Sequence, residues 1–224
     1  MTEVPQEIAE RLAVRARLDS SRGNYEEAIR QQREAVRILE RESASLPQDS
    51  QTLADERKEY AHRLSDYWGR LGGIYRKADM TEEAVEAYRH GMEIEKEYRL
   101  DDSYNRTNWI VLQVLDDPAR LPDLRDEIED AIALIQVQVE GPRRKQWWAW
   151  ADLGLLCHLD GRVREARQAY QRFQMVGARS ADCRSVLDVV SSVRARVAPS
   201  EPELAAEMAE TIQALESAAG RTTG

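Results

Sequence analysis

A chain of 224 residues, 42% hydrophobic and 33% charged, is long enough for one extended domain with a continuous core. Its formal charge of −9 argues against general nucleic-acid binding, which needs a basic field to neutralise phosphates, and leaves only a local basic patch open. Glu, Ala, Arg and Leu dominate and there is a single Phe, a composition that favours helix; no period-two run bounded by turn residues predicts a strand, so the expected class is all-α.

In chain order, a first helical pair is predicted over about 5–45, turning at Arg22-Gly23-Asn24, with Ala28, Gln32, Ala35, Val36 and Leu39 on one face of its second helix. Leu46-Pro47-Gln48-Asp49-Ser50 reads as a break. A second pair follows over about 52–99, with a long first helix from Thr52 to Lys77 and a second from Thr81 to Arg99. Gly91 inside that second helix marks a close helix approach. A third pair is expected over 102–140: Trp109 to Leu115 make one apolar helix ended by Asp116-Asp117-Pro118, and Leu124 to Val139 trace the next. Gly141-Pro142 separates this from a fourth pair over 142–176, with Pro142 read as lying inside the new helix start. A fifth pair over 180–217 reads as a solvent-facing cap, its last helix opened by a Ser200-x-x-Glu203 capping box. Residues 219–224 are expected to be a disordered tail.

Within this series one pattern occurs twice. Trp68-x2-Leu71-Gly72-x2-Tyr75 is followed by Ala84-x3-Tyr88, and Trp150-x2-Leu153-Gly154-x2-Cys157 by Ala166-x3-Tyr170. The Trp-to-Ala interval is the same in both. In the first pair Leu12, Ala16 and Ala28 stand at corresponding places, a degenerate copy in register. The pattern resembles the tetratricopeptide repeat (TPR), a helix–turn–helix unit of about 34 residues. The unusually long second pair resembles kinesin light chain-like repeats. The resemblance implies a single TPR-like α-solenoid over 1–218, of about five helical pairs wound as a right-handed superhelix, that offers a groove to a protein or peptide partner.

No catalytic motif is found, and no cofactor or metal is expected. There is no phosphate-cradling glycine loop and no Gly-x-Ser-x-Gly elbow. His62, His90 and His158 are scattered, and Cys157 and Cys183 lack metal or redox spacing. Asn105-Arg106-Thr107 matches a glycosylation sequon, read as chance because Met1 to Glu10 carry no apolar signal core. No apolar run approaches a membrane span, so a cytoplasmic location is expected.

In the repeat family the first helix of each pair lines the groove. That resemblance implies inward positions at Asp66, Gly69, Arg70, Gly73, Arg76 and Lys77 in the second pair. In the pair marked by Trp150 it implies Trp148, Asp152, Leu155 and His158, and in the first pair Arg17. Gly69 and Gly73 would leave room for a ligand beside Arg70. Arg70, Arg76 and Lys77 suit carboxylates or phosphates, while the plainer reading of the last two is a favourable helix C-terminus. Trp148 sits in a basic and aromatic run, Arg143 to Trp150, of the kind that anchors partners. Chaperone-binding relatives use Lys and Asn at positions that here hold Ala13, Arg17, Arg70, Trp148 and Asp152, so a chaperone tail is not the expected ligand. The stretch from Tyr67 to Tyr170 also looks like the repeat domain of stress-activated kinase kinase kinases and of bacterial signalling and defence systems. That likeness adds Tyr104, Asn105 and Asn108, polar residues at a helix start, to the candidate site. The expected function is a scaffold or adaptor for a protein or peptide, with an effector enzyme as one such partner. The alternatives are a sensor for a small anionic or peptide ligand and a homo-oligomer built through Leu12, Val14 and Leu18.

Overall fold

The computed structural model describes residues 4–46 and 53–220. Among them it contains ten α-helices and no strand, the class the periodicity predicts. The chain divides into two compact units, Met1–Trp109 and Ile110–Gly224, so the single domain expected over 1–218 contains a unit boundary, inside the fifth helix. Most of the Leu46–Ser50 break, the helix start at Thr52 and all but the first two residues of the 219–224 tail lie outside the described residues.

The first unit holds α1 (Pro5–Ser21), α2 (Tyr25–Ser45), α3 (Ala54–Lys77), α4 (Thr81–Glu97) and the start of α5 (Tyr104–Asp116). Pro5 opens α1, where its missing N–H costs nothing. The α1–α2 turn passes through Gly23 at φ 81° and the α3–α4 turn through Asp79 at φ 58°. Each of these left-handed residues lies five positions before the repeat alanine, Ala28 or Ala84, and both alanines are fully buried. The left-handed turn reverses the chain so that the alanine, having no bulk, lets the second helix lie close on the first.

The repeat glycine has an equally physical role. A Cβ on Gly72 would come within 2.8 Å of the Tyr88 ring, and one on Gly154 within 2.7 Å of the Tyr170 ring. In both repeats, therefore, an aromatic ring sixteen residues later lies flat on bare helix backbone. The degenerate first repeat carries different residues at the two corresponding places. Ala16 stands for the glycine and Gln32 for the tyrosine; both are buried, and Gln32 Nε2 donates to the Tyr67 carbonyl at 3.0 Å. The core of this unit is accordingly rich in alanine, with Leu39, Tyr60 and Tyr67 filling the wider gaps.

The second unit holds the rest of α5, a tight 3-10 segment at Pro118–Leu124, then α6 (Arg125–Glu140), α7 (Trp147–Leu159), α8 (Val163–Met175), α9 (Ser180–Val197) and α10 (Pro202–Gly220). The 3-10 segment was not expected. Asp117 accepts from the Ala119 N–H at 3.0 Å and Pro122 removes a donor inside it, so a regular helix forms only after Leu124. The end of α5 is closed by Arg196 of α9, whose guanidinium donates to the carbonyls of Leu115, at 2.7 Å, and Asp116.

Two helix starts differ from the sequence reading. α7 begins at Trp147, not at Pro142: the Arg143 N–H donates back to the Gln138 carbonyl at 2.8 Å, which makes Gly141-Pro142 part of the turn closing α6. α10 begins at Pro202, which leaves Ser200 outside the cap position; its hydroxyl donates to the Val197 carbonyl at 3.3 Å instead. Side-chain capping is found at α9, where the Asp182 carboxylate accepts from the Arg179 N–H at 2.9 Å.

Helix α7 is apolar all round and only its first residues and Asp152 escape full burial, as expected of a helix packed on several sides. α8 covers one side and places Tyr170 on Gly154, while α6 and α10 pack on others. Trp147 meets Phe173 of α8 edge-on at 5.9 Å. Trp150 is half-buried and donates its indole N–H to the Arg144 carbonyl at 2.9 Å.

Candidate functional site

In the first unit, the face of α3 bearing Asp66, Arg70, Gly73 and Lys77 is outward, because these residues recur at three- and four-residue intervals and the apolar residues fall opposite. Arg70 is exposed, pairs with Asp66 at 2.6 Å and stands over the Tyr67 ring at 5.3 Å. The pair is one helical turn apart in water, so it orients the guanidinium more than it stabilises the fold. Arg76 is exposed and donates to the Asn108 amide oxygen at 3.2 Å; Asn108 in turn donates to the Tyr104 carbonyl at 2.8 Å. Lys77 is exposed at the end of α3. α3 and the first turn of α5 thus build one surface from Asp66, Arg70, Arg76, Tyr104 and Asn108.

The glycines of α3 serve this surface in a way the sequence did not reveal. A Cβ at Gly69 would lie 2.7 Å from the Asn105 amide oxygen and 3.0 Å from the Tyr104 ring, and one at Gly73 would lie 3.7 Å from the Tyr104 hydroxyl. The space expected to admit a ligand beside Arg70 is occupied by α5 of the same chain. Asn105 is buried, not a groove residue: its amide donates to the Ser65 carbonyl at 3.0 Å and to the Glu95 carboxylate at 2.5 Å, and its side chain also fills the gap at Gly91. Gly91 therefore marks a close approach, as expected. Burial also removes the Asn105 amide from use as a glycosylation acceptor. Glu95, its partner ten residues away, gave no local sequence signal. Tyr104 stays 38% exposed, its ring edge-on to Tyr88 at 6.0 Å.

Arg17 is exposed on α1. The remaining candidates belong to the second unit. Trp148 is half-buried and the Arg143 guanidinium covers its ring at 4.9 Å, so one indole face is already taken. Asp152 is half-buried. Leu155 and His158, expected to face a partner, are buried instead, His158 completely. Its Nε2 hydrogen-bonds Thr211 Oγ1 of α10 at 2.8 Å, and its ring lies 5.8 Å from that of Tyr170. The correction has a simple cause: α10 packs against α7, where the sequence reading left an open groove. Burial lowers the His158 pKa to about 4, with a smaller contribution from Arg167.

Cys157 and Cys183 are both free and buried, and burial raises the Cys157 thiol to about 12. Among the described residues no group of three His, Cys, Asp or Glu side chains could hold a metal ion, and no helix is long and apolar enough to cross a membrane.

The comparisons with known proteins fit this geometry. Residues 65–98 match the family model of the tetratricopeptide repeat. The fold is similar to the crystal structure of BtubC (BKLC) from P. vanneervenii, with a TM-score of 0.54 and 16% identity over 96% of this chain and 82% of that one. It is also similar to a crystal structure of a putative kinesin light chain with nearly identical TPR-like repeats from Podospora anserina, with a TM-score of 0.50 and 16% identity over 99% and 100% of the two chains. No curated protein matches. Fold and repeat register together define an all-α, TPR-like solenoid. Its clearest unit is the α3–α4 hairpin, over which residues 65–98 match the tetratricopeptide repeat model.

Proposed function

We propose that the protein is a binding scaffold that takes a protein or peptide partner on the surface formed by α3 and the start of α5, with Arg70, Arg76 and Tyr104 as its principal contacts and Asp66, Lys77 and Asn108 around them. The observation that carries this reading is the exposed Arg70–Tyr104–Arg76 surface, held in place by Asn105 buried beneath it. Two guanidiniums and a phenol, pre-oriented by Asp66 and Asn108, suit a partner segment bearing carboxylates. Arginine forks a carboxylate with two parallel bonds, and pre-orientation reduces the entropy lost on binding. The α3–α5 surface is the first to test.

The test is capture from a lysate of the source organism with the wild type and an Arg70→Glu, Tyr104→Ala variant that retains the wild-type helical melting curve. A protein held by the wild type and lost from the variant, then shown to bind as a purified protein with the same dependence, supports the reading. Equal capture by both removes the function from this surface.

A further inference from the structure

The face of α3 opposite Arg70 carries Trp68, Leu71 and Tyr75. These residues floor a trough of about 490 Å³, within the usual size of a ligand site, that the surface described above does not use. α2 and α4 form its two walls. Both run antiparallel to α3: Ala28 packs near Ile74 and Leu39 near Tyr60, while Tyr88 lies on Gly72 and His90 on Trp68. The walls therefore run in the same direction.

At one end the Tyr75 phenol feels both Arg33 of α2 and Glu83 of α4. Seven residues further along each wall stand Glu40 and His90, the latter stacked on the Trp68 indole with ring centres 4.6 Å apart. Seven residues of helix rise about 10 Å, which is the length of roughly three extended residues.

Carboxylates outnumber cations at both ends: Glu82 and Glu83 against Arg33 at one, and Glu40 at the other. Midway, the charges are matched within each wall, Glu86 by Arg89 at 2.6 Å and Arg37 by Glu34 at 3.5 Å. Arg33 interacts with the Tyr75 phenol, which is uncharged, so its cation offsets one of the two carboxylates at that end. Glu40, Glu82 and Glu83 make no ion pair among the described residues. What remains is an apolar floor with a net negative charge at both ends, one end beside an aromatic stack that favours cations.

We propose that this trough binds an extended segment of a partner protein in which one apolar side chain is flanked by two basic ones. Alternation along an extended chain turns the central side chain down onto Leu71 and the flanking pair out to the rims. One basic head meets Glu40 beside Trp68, and the other meets Glu82 and Glu83. This site lies on the opposite face of α3 from Arg70 and stands or falls independently of it.

The test is fluorescence anisotropy of a labelled Gly-Arg-Leu-Arg-Gly peptide titrated with the full chain at low salt, beside peptides with Glu for Arg or Ser for Leu. The arginine peptide is expected to saturate, the glutamate peptide not to, and the serine peptide to bind more weakly. Glu40→Lys with Glu83→Lys, both exposed positions, should weaken binding at least about tenfold, the scale of losing close charge pairs. Trp68→Phe should weaken it less. Glu129→Lys with Glu216→Lys makes the same change in net charge in the second unit and should leave binding intact, as should Arg70→Glu. The proposal is overturned if no peptide saturates at about millimolar protein, if the glutamate peptide binds as well, or if both lysine pairs weaken binding equally.

Discussion

Gly72 and Tyr88 act as one structural part. The ring occupies the volume a Cβ would need, so Gly72→Ala forces the tyrosine aside within a packed core, at an expected loss of about 1–3 kcal/mol, reduced somewhat by alanine's better helix propensity. The first repeat carries another combination at the two corresponding places, Ala16 and Gln32, both buried. Tyr88→Gln alone should also destabilise, because it empties a fully buried ring site. Together the two changes should cost less than their sum by about 1–2 kcal/mol, a coupling that urea unfolding of the four-member cycle measures directly. Strict additivity would show that ring and glycine do not determine one another.

His158 illustrates a polar residue placed by tertiary burial alone. Its folded pKa of about 4 lies below the ordinary value of 6.5, so between these values the unfolded chain binds a proton that the folded chain refuses. Stability is therefore unaffected by this group above about pH 6.5 and falls as the pH drops from there to about 4. The full loss is on the order of 3 kcal/mol. Carboxylates throughout the chain also titrate in this range, so the informative quantity is the difference between wild type and His158→Gln. The variant's urea midpoint should fall less than that of the wild type between pH 7 and pH 4.5; identical slopes would mean that the folded protein accommodates the charged ring.

At the scale of the helix, what could be read from sequence was whatever local physics decides. Ten helices, the left-handed turn at Gly23 and the buried faces of α2 and α4 follow from periodicity and turn chemistry within a few residues of each other. Two helix starts were misplaced because proline and serine were credited with opening α7 and α10, whereas backbone groups from the preceding helices had already claimed the chain there. The candidate site was legible in its exposed cations, Arg70 and Arg76, and illegible in its support. Asn105 reaches across to Ser65 and Glu95, and α10 lies over His158, through contacts between residues far apart in the chain. A helix-face rule can say which residues share a side of a helix. It cannot say that another helix of the same chain will cover that side, which is why Leu155 and His158 were placed in a groove and are found in the core.

For the molecule as a whole, the repeat register recurs in both units while each unit closes its own core. In helical-repeat chains stability is built from each hairpin and its immediate neighbours rather than from one global core. Gly72→Ala and Gly154→Ala make the same steric insult, one in each unit, and so report how far damage spreads. Native-state hydrogen exchange is the suitable readout, because it assigns an opening free energy to each helix separately. Gly72→Ala is expected to speed exchange in α3 and α4 and leave α7 and α8 at wild-type rates, and Gly154→Ala to do the reverse. If either substitution instead accelerated all four helices by the same factor, the chain would be opening as a single cooperative body, and a partner bound on the α3–α5 surface would stabilise the second unit as strongly as the first.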